Sequence, residues 1–256
     1  MEWSECSFKY NHQKAALSNT KTSFDLFLPV NPQRMEPYIS QYLDFNKTFT
    51  VFDLIAVFLF ATSGAQAAIQ KGYDFIGILV LAFFSGVGGG LIRDAIFIQA
   101  GPPKVVTDSN YLMVILGAFV LSMIFHTRLS KMRRTMLLVD ALGLGTYGVV
   151  GAHAALQAGL VPLAAILVGV FNATGAGIIR DVLIREEPVI FKPGQFYAGA
   201  AVVGTILYVT LTIGFRTGDT LAAILAISIA FAIRILSVKF NWRTRPILKP
   251  NEERLT

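Results

Sequence analysis

Ser85-Gly86-Val87-Gly88-Gly89-Gly90-Leu91-Ile92-Arg93-Asp94 and Asn172-Ala173-Thr174-Gly175-Ala176-Gly177-Ile178-Ile179-Arg180-Asp181 are the two stretches that decide how this chain folds. They lie 87 positions apart. An ungapped shift of that size also matches Asp53 with Asp140, Gly64-Ala65 with Gly151-Ala152, Ala67-Ala68 with Ala154-Ala155, and Gly72 with Gly159. Over residues 53–94 against 140–181, 13 of 42 positions are identical, more than a shared apolar composition supplies. A duplication explains the match.

Around these stretches the chain is apolar in long blocks. Of its 256 residues 54% are hydrophobic and 15% charged, with a mean hydropathy of +0.58, where a soluble domain carries about 25% charged residues. Seven blocks reach the length of a membrane-crossing helix: about 49–69, 75–99, 110–126, 136–157, 161–183, 196–214 and 220–238. The expected fold is therefore an all-α integral membrane protein of seven transmembrane helices. Each copy of the duplicated unit holds three of them, an odd number, so the second copy enters the membrane inverted and one C-terminal helix is appended. The segments are a flexible polar tail at 1–47, a first three-helix repeat at 48–134, an inverted repeat at 135–215, a seventh helix at 216–239 and a cytoplasmic tail at 240–256.

Residues 1–47 are polar and hold Pro29, Pro32 and Pro37, with no apolar run long enough for a signal-peptide core. Met35 offers a second translation start, and residues 1–34 read as dispensable for the membrane domain. Lys71, Arg128, Lys131, Arg133, Arg134, Arg185, Lys192, Lys239, Arg243 and Arg245 collect on one side of the expected spans, while Lys47, Lys104 and Arg216 lie on the other. By the positive-inside rule the richer side is cytoplasmic, which places the multi-pass chain in a cell (inner) membrane with its N-terminus outside and C-terminus inside. The same segmentation of the basic residues argues against a nucleic-acid-binding face despite the net charge of +6. The run from His126 to Arg134 reads as a topology determinant touching anionic lipid.

Four glycines among five positions, Gly86, Gly88, Gly89 and Gly90, weaken a helix by about 1 kcal/mol each. Gly175 and Gly177 stand in the second stretch beside Asn172 and Thr174, where the first has Ser85. The sequence thus predicts a kink or unwound turn in the second and fifth spans. Paired interruptions at matching positions of two inverted halves point to a substrate pathway, and close packing of small residues is the competing reading. Asp53, Arg93, Asp94, Asp140, Arg180 and Asp181 lie within or at the edge of apolar spans, where an ionisable group needs a partner. Asp53–Arg93 and Asp140–Arg180 are the expected ion pairs, serving either as bridges that staple each repeat or in gating. His153, opposite Gln66 in the alignment, reads as a hydrogen-bonded interior residue, and Arg234 as a side chain snorkelling toward headgroups.

One cysteine, Cys6, and three scattered histidines, His12, His126 and His153, give no metal site and no disulfide framework. The glycine stretch lacks the last glycine of G-x-G-x-x-G and any Gly-Lys-Ser/Thr, so it does not read as a phosphate cradle. No catalytic motif is present and no cofactor is called for.

Two copies of a unit that opens on an Asp and closes on a glycine-rich stretch with Arg-Asp resemble the bacterial glycine transporter domain family, itself similar to the trimeric intracellular cation (TRIC) channels. The resemblance covers residues 49–238. It implies a homotrimer with one pore per protomer, and a path lined by the second and fifth helices at their glycine kinks. Ala176 stands where that family usually has glycine. The resemblance is compatible with potassium permeation and with glycine uptake. The reading taken from it is a potassium channel, in which Ser85, Asn172 and Thr174 supply oxygens to the ion. The first alternative is a glycine carrier using helix amides or an Arg for the carboxylate, and the second a non-transporting membrane scaffold.

Overall fold

The computed structural model describes residues 32–99, 102–126, 133–192 and 196–242, with side chains from 47, and with those of 133–136 left aside. The readings placed on Cys6, His12, Arg128, Lys131, Arg243 and Arg245, and on the side chains of Met35, Arg133 and Arg134, lie outside the described residues. The chain divides into two units, Met1–Lys47 and Thr48–Thr256. Within the first, the described backbone is helical from Pro32, so the end of the segment read as a flexible tail is helix instead.

The helices are α1 (Pro32–Gln70), α2 (Phe75–Ile92) with a π-helical extension (Arg93–Ile98), the single turn α3 (Lys104–Thr107), α4 (Ser109–Ile124), α5 (Arg133–Gln157), α6 (Pro162–Leu183), α7 (Tyr197–Val209) with a π-helical extension (Thr210–Gly214), and α8 (Asp219–Lys239). Local chemistry sets the boundaries. Asp74 caps α2 by accepting from the Gly77 amide at 2.8 Å, Asp108 caps α4 through the Asn110 amide at 2.9 Å, and Pro162 occupies the first turn of α6. α1 and α5 both end on a glycine with positive φ, Gly72 at 72° and Gly159 at 80°. Beyond each, an amide folds back to the helix, Tyr73 to the Ala68 carbonyl and Leu160 to that of Ala155.

Among the described residues, six helical stretches are long and apolar enough to cross a membrane: Lys47–Gln70, Phe75–Ile98, Leu137–Gln157, Pro162–Leu183, Tyr197–Gly214 and Asp219–Lys239. The third expected span is the shorter α4, whose 16 residues cover about 24 Å at 1.5 Å per residue. The protein is an all-helical membrane protein. α6 packs against α5, α2 and α7, and α8 against α5 and α7. The core is small-residue rich, with Ala56, Ala61 and Ala118 beside Phe60, Tyr111 and Tyr147 in one cluster, and Ala65, Ala68 and Ala82 beside Leu81 and Phe119 in another. Apolar side chains such as Ile76, Leu163 and Leu221 face outward, as lipid-facing positions do.

The unwound turns expected at the glycines are absent. α2 runs without interruption from Phe75 to Ile92 and α6 from Pro162 to Leu183. The irregular backbone falls instead in the two π-helical extensions. The glycines serve close approach. A β-carbon on Gly88 would stand 2.8 Å from the Ile179 side chain, and one on Gly175 2.6 Å from that of Ile92, two contacts at matching positions of the copies. On Gly89 it would run into the Asn172 carbonyl and stand 3.1 Å from the Tyr147 ring. Leaving helix hydrogen bonds unmade in hydrocarbon costs several kcal/mol per group, against about 1 kcal/mol of glycine propensity. The cost of a break is the greater of the two, so the helices stay whole.

Candidate functional site

The residues singled out in the sequence come together in two clusters. α1 carries Asp53 and the end of α2 carries Arg93 and Asp94. Arg93 Nη1 donates to Asp53 at 3.2 Å, and its Nε and Nη2 donate to the two oxygens of Asp94 at 2.6 and 3.2 Å. The Tyr111 hydroxyl of α4 donates to Asp53 Oδ2 at 2.8 Å. Arg93 and Asp53 are each 1% exposed. Such burial is tolerated only with the guanidinium donors and carboxylate acceptors satisfied, as they are here. Asp94 also accepts from the Lys104 amide at 3.2 Å, which ties α3 to the end of α2.

The second cluster repeats this plan. Asp140 sits on α5 and Arg180 and Asp181 on α6. Arg180 Nε donates to Asp181 at 2.9 Å and Nη1 to Asp140 at 3.4 Å. Asp181 accepts from the Val189 amide at 3.1 Å, as Asp94 does from Lys104. Arg180 and Asp140 are each 12% exposed. Nη1 has a further acceptor, Ser63 Oγ of α1, at 2.6 Å. Tyr197 lies beside this cluster on α7.

A small cavity borders the first cluster, and a crevice too narrow to hold a water borders the second. The first is lined by Asp53, Val87, Gly90, Leu91, Arg93, Asp94, Lys104 and Tyr111 among others. The second is lined by Thr174, Gly177, Ile178, Arg180, Asp181, Val189, Ile190 and Tyr197. Val87, Gly90 and Leu91 correspond to Thr174, Gly177 and Ile178 under the shift of 87. Between the clusters, Ser85 Oγ donates to the Phe60 carbonyl at 2.9 Å and Asn172 Nδ2 to the Tyr147 carbonyl at 2.6 Å, again matching positions. Phe60 and Tyr147 stack with centroids 5.2 Å apart, and the Tyr147 hydroxyl donates to the Gly86 carbonyl. Ser85 and Asn172 are thus committed to backbone carbonyls, and Thr174 to that of Val170 at 2.8 Å. Among the described residues, the Oδ1 of Asn172 is buried with no hydrogen-bond partner.

His153 is hydrogen-bonded through Nδ1 to the Tyr208 hydroxyl at 2.8 Å and stacks on Phe49 at 3.5 Å. Arg234 departs from expectation: it is 2% exposed, and its guanidinium lies 4.9 Å from the centre of the Tyr197 ring. There the aromatic face of Tyr197 compensates part of its desolvation. Tyr111, Tyr147 and Tyr197 were not singled out in the sequence, and no contact was expected of Ser63. Tyr111 and Tyr197 lie 86 positions apart, so a one-residue gap in the repeat alignment pairs them.

These features define an all-helical membrane protein in which buried guanidinium–carboxylate clusters flank two glycine-rich helices. A family model described as Glycine transporter matches residues 50–127 and 137–212, and the chain belongs to that family. It is similar to a UPF0126 membrane protein of Deinococcus radiodurans, 40% identical over 153 residues that make up 59% of this chain and 71% of the other. It is also similar to the UPF0126 inner membrane protein YadS of Escherichia coli strain K12, 32% identical over 190 residues, 74% of this chain and 91% of the other. Among solved structures, the TRIC trimeric intracellular cation channel orthologue from Rhodobacter sphaeroides has the same fold, with a TM-score of 0.71 and 34% identity over 75% of this chain and 98% of that one.

Proposed function

We propose that the protein is a TRIC-like channel for monovalent cations, with potassium as its ion, passing between the two clusters along α2 and α6. The observation that carries a cation over an anion is the charge of the first cluster. The first sets two carboxylates against one guanidinium, Asp53 and Asp94 around Arg93, whereas the second sets Asp140 and Asp181 around Arg180 with the Arg234 guanidinium over the adjoining Tyr197 ring. Exposed Lys104 stands only at the mouth of the first. Excess buried carboxylate at the first cluster attracts a cation and repels a carboxylate ligand. The similarity to TRIC cation channels supports the same choice.

On this reading α4 completes a set of seven helices in two inverted triplets plus α8, the segments divide at 47, 134, 215 and 239, and three copies assemble with one path each. The basic residues put the N-terminus outside an inner membrane and the C-terminus in the cytoplasm. The path passes the whole helices at Ser85, Gly86, Gly88, Gly89 and Gly90 and at Asn172, Thr174, Gly175 and Gly177, and the ion pairs stand at its two ends as gates. Glycine uptake is the second reading, favoured by the description of the family and by an Arg beside the cavity and the crevice. Liposomes holding the purified protein decide among them: potassium flux without glycine uptake is expected. Glycine uptake alone replaces the first reading with the second, and flux of neither solute leaves a scaffold.

A further inference from the structure

The two clusters use matching positions but are not closed alike. At the first, Arg93 commits its Nη1 to Asp53, and Tyr111 adds its hydroxyl to the same carboxylate. At the second, Arg180 Nη1 is shared. It lies 2.6 Å from Ser63 Oγ and 3.4 Å from Asp140, so the stronger contact goes to α1, outside the copy that holds Arg180. Tyr197, only 3% exposed, has no hydrogen-bond partner for its hydroxyl among the described residues, where Tyr111 makes a bond. The pair is 12% exposed against 1%. One sequence difference accounts for the tether. The counterpart of Ser63 under the shift of 87 is Val150, which offers Arg93 no acceptor.

We infer that Ser63 is a positioning residue: by drawing Arg180 away from Asp140 it makes the second cluster the weaker closure, and the path opens first at that end, between α5, α6 and α7. This rests on the proposed permeation path along α2 and α6. When the Arg180–Asp140 contact parts, Arg180 keeps Ser63 and Asp181, and Asp140 has the Tyr197 hydroxyl in its neighbourhood as a replacement donor. When Arg93 parts from Asp53 it has no such second acceptor on α1.

Thr174 and Val87 occupy the same position of the two copies, line the crevice and the cavity and are equally buried, at 1% and 2% exposure. With the lone Cys6 changed to serine, Thr174→Cys and Val87→Cys report the opening of each end through their rate of reaction with a small methanethiosulfonate in the detergent-solubilised full chain. Thr174→Cys should react about tenfold faster, the factor that one hydrogen bond to a charged group represents. Adding Ser63→Ala should bring its rate down to that of Val87→Cys, Ser63→Thr should preserve it, and Val150→Ser should speed Val87→Cys. A gain from Val150→Ser is not what general loosening of the fold by a lost contact would give, and melting temperatures identify any variant that fails to fold. Equal rates for the two cysteines, or a Thr174→Cys rate indifferent to Ser63→Ala, overturn the inference. Potassium flux of the same variants tests the path separately: labelling that changes with Ser63→Ala while flux does not leaves the asymmetry standing and removes its role in permeation.

Discussion

Arg93 has five donors and a carboxylate on either side, so its removal strands Asp53 in a setting where a lone carboxylate is costly. Arg93→Ala should destabilise by about 3–5 kcal/mol, and the double change Arg93→Ala with Asp53→Asn by less, because the second substitution removes the stranded charge. A double-mutant cycle on the melting temperature in detergent checks this, and additive effects would mean that the two residues do not act as a pair. Arg180→Ala with Asp140→Asn should show weaker coupling, since that contact is longer and more exposed. The partners Asp53 and Arg93 were legible in the sequence because charge in an apolar span demands compensation. Ser63 and the three tyrosines were not, because a hydroxyl in a membrane helix can satisfy itself on its own backbone, and only the packed structure shows what else it reaches.

Helices α2 and α6 approach through their glycines, and the energetic weight of that approach can be read by adding one carbon. Gly89→Ala drives a methyl group against the Asn172 carbonyl and the Tyr147 ring, and should cost about 1–3 kcal/mol by overpacking. Gly117→Ala in α4 meets nothing within 4 Å and should stabilise by up to about 1 kcal/mol through helix propensity alone. Thermal melts of the two variants against the parent protein separate the roles. The helices themselves were legible from hydropathy. Their continuity through Gly86–Gly90 was not, since propensities measured in water understate what a broken helix costs in lipid. The turns after α1 and α6 are joined by Lys71 and Glu186 at 2.7 Å. The hydrogen bond from Lys71 holds Glu186 below the ordinary carboxylate range. Its small contribution is present above the unfolded glutamate pKa of about 4.3 and is lost as pH falls through the lowered folded value. Melting temperatures between pH 7 and pH 3 should therefore fall slightly less for Glu186→Gln than for the parent protein.

At the scale of the molecule, the proposed orientation rests on the distribution of lysine and arginine, and reporter fusions test it. Fusions at the loop near Lys131 and at the C-terminus should both report cytoplasm, and an external signal from either would exclude the inverted triplets. The duplication was legible because it left identical residues at a constant spacing. What it left unequal emerges from contacts. Phe60 and Tyr147 hold the same place in the two copies and touch each other. Only residues lying on a twofold axis can meet their own counterparts, so under the proposed inversion this stack marks the axis. Two identical halves related that way would make the two faces of the membrane energetically degenerate, and the protein would have no preferred direction. Tyr147 carries a hydroxyl that Phe60 lacks and gives it to Gly86, so the degeneracy is broken on the axis itself. Directionality in this molecule then resides in the places where the copies have diverged rather than in the residues they share.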